Sequence, residues 1–204
     1  MSIFLIARHG NTFEKNETPR RVGKRTDLPL TAKGLEQAHA LGRYLKDQNL
    51  NPSIIVTSSL QRTKQMATII ELYLEQKPNI VEDTRFDEID YGVDENKTEE
   101  DVLQRIGTQA MEAWNDHGIL PSGWYADLDA IRAAWHDVAE QSTNSTILVI
   151  TSNGIARFAP SLTGDEVAFR KKNELKMATG ALSIFTRDES QKNWVCPLWN
   201  FRPS

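Results

Sequence analysis

Ile3-Phe4-Leu5-Ile6-Ala7 is an unbroken apolar run that stops abruptly at Arg8, His9 and Gly10. Five β-compatible residues are too few for a helix, and a run without polar alternation suits a strand covered on both faces. In open α/β sheets ligands gather beyond the carboxyl ends of the strands, which puts Arg8 and His9 where chemistry usually sits. Gly10 lets the backbone turn tightly and approach a ligand closely. By itself Arg-His-Gly is a weak signal, because a histidine at a strand end is more often structural than catalytic.

Residues 11–30 are polar and turn-rich, with Pro19, Gly23 and Pro29 and a basic cluster of Arg20, Arg21, Lys24 and Arg25. They predict a long loop beside the site, able to bring positive charge towards an anion. Thr31 is a suitable N-cap, and Leu35, Ala38, Leu41 and Leu45 recur at helical spacing over about residues 32–48. Ile54-Ile55-Val56 reads as a second buried strand. Ser58 and Gln61 form an S-x-x-Q capping box, which places Arg62 in the first turn of the helix that follows. Free N–H groups and the helix dipole at that end favour an anion.

Residues 80–101 are acidic, and a calcium loop is the natural rival reading. With Gly92 at the sixth position of such a loop, Ile89, Tyr91 and Thr98 fall on positions that need other oxygen donors, so the metal reading fails. Most of these carboxylates read as a solvated loop. Thr98 and Asp101 resemble a capping box; Val102, Ile106, Ala110 and Trp114 then form one stripe ending at Gly118, and Leu128, Ile131, Trp135 and Val138 a second, after Asp127. Two helices are expected there, as an insertion over approximately residues 98–142, with Trp114, Trp124 and Trp135 as packing. Residues 146–151 make the clearest later strand, followed by Ser152-Asn153-Gly154 and a short helix; residues 180–185 and 194–195 read as closing strands. Alternating strands and helices without repeats or a low-complexity linker point to one α/β domain over residues 1–204.

A chain of 204 residues suits one core. A net charge of −4 gives no electrostatic case for nucleic acid, and nothing approaches the roughly 18 apolar residues of a membrane span. The apolar N-terminal run is short and leads straight into Arg8-His9, so no leader is expected, and the lone Cys196 suits a reducing compartment; cytoplasmic localisation follows as an expectation.

Four motifs in order resemble the histidine phosphatase superfamily, also called phosphoglycerate mutase-like. They are Arg8-His9-Gly10-Asn11-Thr12; Asp27-Leu28-Pro29-Leu30-Thr31 with Gly34, Gln37 and Ala38; Ser58-Ser59-Leu60-Gln61-Arg62-Thr63 with Gln65 and Ala67; and Glu88-Ile89-Asp90-Tyr91-Gly92. The resemblance implies a three-layer α/β/α sandwich around a mostly parallel sheet, with the helical segment as a cap. It also implies a phosphatase acting on a phosphorylated small molecule without metal or cofactor. His9 would attack phosphorus, Arg8 and Arg62 would hold the phosphoryl oxygens, Glu88 would protonate the leaving oxygen, and Asn11 would contact the phosphate. A second histidine, usual in the family after the late strand, is Asn153 here, which donates a hydrogen bond but carries no charge. Weakened or redirected activity is the expectation. A catalytically silent phosphate binder and a phosphoglycerate-type mutase are the alternatives, and the physiological substrate and oligomeric state stay open.

Overall fold

In a computed structural model, which describes residues 1–204 apart from the side chains of Thr143 and Asn144, the Ile3–Ala7 run lies near the middle of a six-stranded sheet. The strands are β1 (Ser2–Arg8), β2 (Ile54–Thr57), β3 (Asn79–Glu82), β4 (Ile147–Thr151), β5 (Leu182–Arg187) and β6 (Val195–Phe201), in the order β3-β2-β4-β1-β5-β6. The first four are mutually parallel, β5 is antiparallel to β1, and β6 is antiparallel to β5. The register pairs Arg8 with Thr151 and Thr57 with Ile150, so the carboxyl ends of β1, β2 and β4 finish on one edge. Pro197 falls in β6, an edge strand, where a missing N–H donor is tolerated.

Phe4, Leu5, Ile6 and Ala7 are fully buried, as a strand covered on both faces requires. Leu5 and Ala7 pack with Ile55, Leu148 and Ile150 beneath α1 (Ala32–Asp47) and α2 (Gln61–Glu71). Phe4 and Ile6 pack with Val56, Ile147 and Val149 on the other face, against Trp135 and Phe86. The expected sandwich of helices on both faces of a mostly parallel sheet is what the chain forms. Among the described residues no helix is long and apolar enough to cross a membrane.

Local signals held unevenly. Thr31 Oγ1 accepts from Gly34 N at 3.2 Å and starts α1, whose buried side is Ala38, Leu41 and Leu45, while Leu35 is half exposed. The Ser58–Gln61 capping box does not form. Ser58 Oγ instead accepts from Leu60 N and pairs with the Thr63 hydroxyl, and Asp27 Oδ1, from the preceding loop, takes Gln61 N at 2.8 Å. The single stripe 102–114 is broken at Gly107, whose φ of +80° no side-chain-bearing residue adopts readily. That leaves α3 (Glu99–Ile106), with the Thr98/Asp101 capping box in place, and α4 (Thr108–His117), closed by left-handed Gly118. Next is α5 (Leu128–Glu140), capped by Asp127. Three helices therefore replace the two expected. Trp114, Trp124 and Trp135 are buried, and Trp135 stands edge-on to Phe4 and Phe86.

The acidic stretch is less solvated than its composition suggests. Asp94 is buried, accepting from Trp124 Nε1 at 2.6 Å and from Arg105. Glu95 accepts from the backbone N–H groups of Gly23, Arg25 and Tyr91 at 3.1, 2.9 and 3.3 Å. With Arg21 N on Lys97 O and Asn96 N on Arg21 O, both at 2.8 Å, these bonds fasten residues 20–26 to residues 90–98.

Candidate active site

Beyond β1 the chain is held from two sides. His9 N donates to Thr151 O at 3.0 Å, and Gly180 N reaches the carbonyls of Arg8 and His9, both at 3.1 Å. Gly10 abuts the backbone of Gly34 at the start of α1, where a β-carbon would overlap it. The His9 ring is buried, with Nδ1 2.7 Å from Gly10 O and Nε2 3.2 Å from Arg62 Nε. A carbonyl only accepts and a guanidinium only donates, so these partners assign the proton to Nδ1 and the lone pair to Nε2. Burial, then the charges of Arg62 and Arg8, push the His9 pKa well below its ordinary 6.5.

This shift has a stability consequence. Between pH 6.5 and the lower native pKa the unfolded chain binds a proton that the folded chain refuses, so stability falls as pH drops through that window. A denaturant series from pH 7 to pH 4 on the native chain and His9→Gln should show the native chain losing more stability, and parallel curves would contradict the assignment.

Arg8, on the last residue of β1, donates Nη1 to Met177 O at 2.5 Å, and its buried Nε has no protein partner. Arg62 is fully buried in the first turn of α2, where its fork reaches Thr26 O at 2.9 Å, Gly23 O at 3.4 Å and Ser152 Oγ at 3.3 Å. Its Nε–H points at the His9 lone pair, the position an electrophile on Nε2 would occupy. Burial lowers the pKa of both arginines, and Glu88 is the leading opposing influence on each. Glu88 is buried with Oε1 on Ile89 N at 2.8 Å and Oε2 on Gly154 N at 3.1 Å. Asn153 starts the short α6 (Asn153–Ala156); its Oδ1 accepts Met177 N at 2.9 Å, leaving Nδ2 as the free donor. Asn11 Oδ1 takes the Thr179 hydroxyl and Asn11 N binds Gln37 Oε1 at 2.8 Å, so this residue shapes the turn as well as facing the site.

Arg8, His9, Asn11, Glu88 and Asn153 share one cleft of about 750 Å³, with Arg62 behind His9. Three contributors had no role in the sequence reading. Gln37 bridges Asn11 N and Thr179, Met177 supplies backbone groups to both Arg8 and Asn153, and buried Tyr91 lines the cleft. Burial and Glu88 raise the Tyr91 pKa above its usual value, so the phenol stays protonated. Gln37 and Tyr91 carried a signal, their places in the second and fourth motifs; the Met177 groups are backbone and leave none. Among the described residues there is no group of three or more His, Cys, Asp or Glu side chains able to hold a metal ion.

Gly154 is packed directly against the Glu88 carboxyl. A β-carbon there would overlap Glu88 Oε1 and lie 2.7 Å from Ile89 Cγ1 and 3.0 Å from Tyr91 Oη. Gly154→Ala should therefore displace the Glu88 carboxyl. We expect about 10²-fold lower kcat, the scale of losing a positioned acid, with inorganic phosphate affinity nearly kept; an unchanged kcat would show that Glu88 is not needed where it stands.

A family model described as histidine phosphatase superfamily, branch 1, matches residues 4–202. The chain is 42% identical over 105 residues to a Bacillus subtilis protein named uncharacterized phosphatase PhoE, a match covering 52% of this chain and 51% of that one. It is 31% identical over 205 residues to a Salmonella paratyphi A protein named probable phosphoglycerate mutase GpmB, covering 98% and 90%. Among solved structures, mycobacterial glucosyl-3-phosphoglycerate phosphatase complexed with VO3 superposes with a TM-score of 0.78 at 22% identity, over 98% of this chain and 99% of that one. Entamoeba histolytica phosphoserine phosphatase with 3-phosphoglyceric acid gives 0.76 at 21% identity, over 98% of each.

Proposed function

The chain belongs to the histidine phosphatase superfamily, and from that premise we propose that it hydrolyses phosphomonoesters of small molecules through a phosphohistidine on His9. The observation that carries the reading is the fixed tautomer of His9: Nδ1–H is held by Gly10 O and the Nε2 lone pair faces the Arg62 fork. Nε2 attacks phosphorus as the ester P–O bond breaks, and protonated Glu88 gives its proton to the departing alkoxide. Arg8 and Arg62 stabilise the charge that develops on the phosphoryl oxygens. Water then attacks the phosphohistidine, Glu88 takes its proton, the P–N bond breaks, and His9 returns to its neutral form with release of inorganic phosphate.

Asn153 favours a second reading, a silent phosphate binder, because its free amide donor offers no charge to the phosphoryl group. Similarity over nearly the whole chain to proteins named phosphoglycerate mutases keeps phosphoryl transfer to an alcohol as a third. The test is hydrolysis of an aryl phosphate in the presence of a chelator, with acid-labile phosphoenzyme trapped by rapid denaturation. Turnover with such an intermediate supports the phosphatase; phosphate binding without turnover supports the silent binder; transfer to added alcohol in preference to water supports the mutase.

A further inference from the structure

We propose that Lys176 supplies the positive charge to the phosphoryl group that Asn153 lacks. This rests on the phosphohistidine site described above and names one more residue that contacts its substrate. Besides Arg8, the cations lining the cleft are Lys15, Arg20, Arg21, Lys33 and Lys176. Arg21 is committed, paired with Glu99 and stacked over the rings of Tyr91 at 5.2 Å and Trp124 at 4.7 Å. Lys33 pairs with Glu36 at 2.9 Å along α1. Arg20 faces Asn96, and Lys15 stands exposed on the 11–30 loop with no link to Asn153.

Lys176 differs by how it is attached. Its neighbour Met177 donates N–H to Asn153 Oδ1 at 2.9 Å and offers its carbonyl to Arg8 Nη1 at 2.5 Å. Asn200, on β6, closes the other side, accepting from Ala178 N at 2.6 Å and donating Nδ2 to Lys176 O at 3.2 Å. The backbone at 176–178 is thus tied to the same two side chains, Arg8 and Asn153, that face the phosphoryl position. Lys176 is exposed, stands between this cleft and a neighbouring cavity that Asp116 and Glu174 also line, and forms no ion pair among the described residues. A long flexible stem ending in a point charge suits an anion that arrives and leaves with every turnover.

The experiment is a double-mutant cycle of Lys176→Met and Asn153→His, with Lys176→Arg as the charge-keeping control. Two readouts are used: aryl phosphate kcat/KM, and inorganic phosphate affinity by calorimetry, both at a pH where NMR titration of Asn153→His shows the introduced imidazole to be charged. Lys176→Met should lower both about tenfold to thirtyfold, less than the roughly 10²–10³ of a buried preorganised donor, and Lys176→Arg should restore most of the loss. In the Asn153→His background the same Lys176→Met change should cost less than about threefold, because the introduced imidazole replaces the charge. No loss in the native background, or an equal loss in both, overturns the proposal. If no variant turns over substrate while phosphate binding follows the pattern above, the hydrolase reading fails and the role of Lys176 stands.

Discussion

His9→Ala should abolish aryl phosphate turnover, by about 10⁴-fold or more, the scale seen when a covalent nucleophile is removed, and should leave no acid-labile phosphoenzyme. The ring is buried, its tautomer is set by Gly10 O and Arg62, and among the described residues no other histidine lines the cleft. Binding of inorganic phosphate should survive, since Arg8 and Arg62 remain and the desolvated imidazole no longer competes for the Arg62 Nε–H. His9→Gln is the informative companion, because an amide can hold Arg62 without acting as a nucleophile. Residual turnover of more than about a hundredth in His9→Ala, well above what binding and orientation alone leave behind, would sink the phosphohistidine mechanism.

Arg62→Met should cost both function and fold. The guanidinium is the only described group that joins His9, the 23–26 stretch of the loop and Ser152 after β4. Without it the carbonyl of Thr26 loses its guanidinium donor and that of Gly23 keeps only the N–H of Thr26 at 3.4 Å, at roughly 1–3 kcal/mol for a buried group left unsatisfied. Phosphate affinity and kcat/KM should fall by about 10²–10³, the scale for a preorganised charge-stabilising donor. Arg62→Lys separates the two effects: it keeps a charge but loses the fork, so stability should recover in part while turnover stays low. Chemical denaturation alongside kinetics checks both, and a lysine variant with native turnover would reduce Arg62 to a simple counter-charge.

The parts that the sequence made legible share a local cause. β1 and β4 are unbroken apolar runs, and Thr31, Asp127 and Gly118 act on helix ends only a few residues away. The misreadings come from groups distant along the chain. Ser58 would have capped α2 had Asp27 not taken the Gln61 N–H from 34 positions away. Glu95 reads as one carboxylate among many, and its three backbone donors lie up to 72 positions off. Gly107 sits inside an uninterrupted apolar stripe, and only the backbone reveals its left-handed turn. At the site, the motifs named side chains, while Met177 contributes through its main chain, which composition cannot disclose.

The Glu95 fastening has a consequence for timing. Three bonds to one carboxylate hold Gly23, Arg25 and Tyr91 together, and on the proposed mechanism they oppose a change in the cleft mouth through the catalytic cycle. Enzymes that close a lid protect a reactive intermediate by shutting out solvent. On that mechanism a mouth that stays open would admit bulk water to the phosphohistidine as soon as the alcohol departs. The lifetime of that intermediate is then set by how fast water reaches it, and the partition between hydrolysis and return of the phosphoryl group is tilted towards hydrolysis by the rigidity of a single loop.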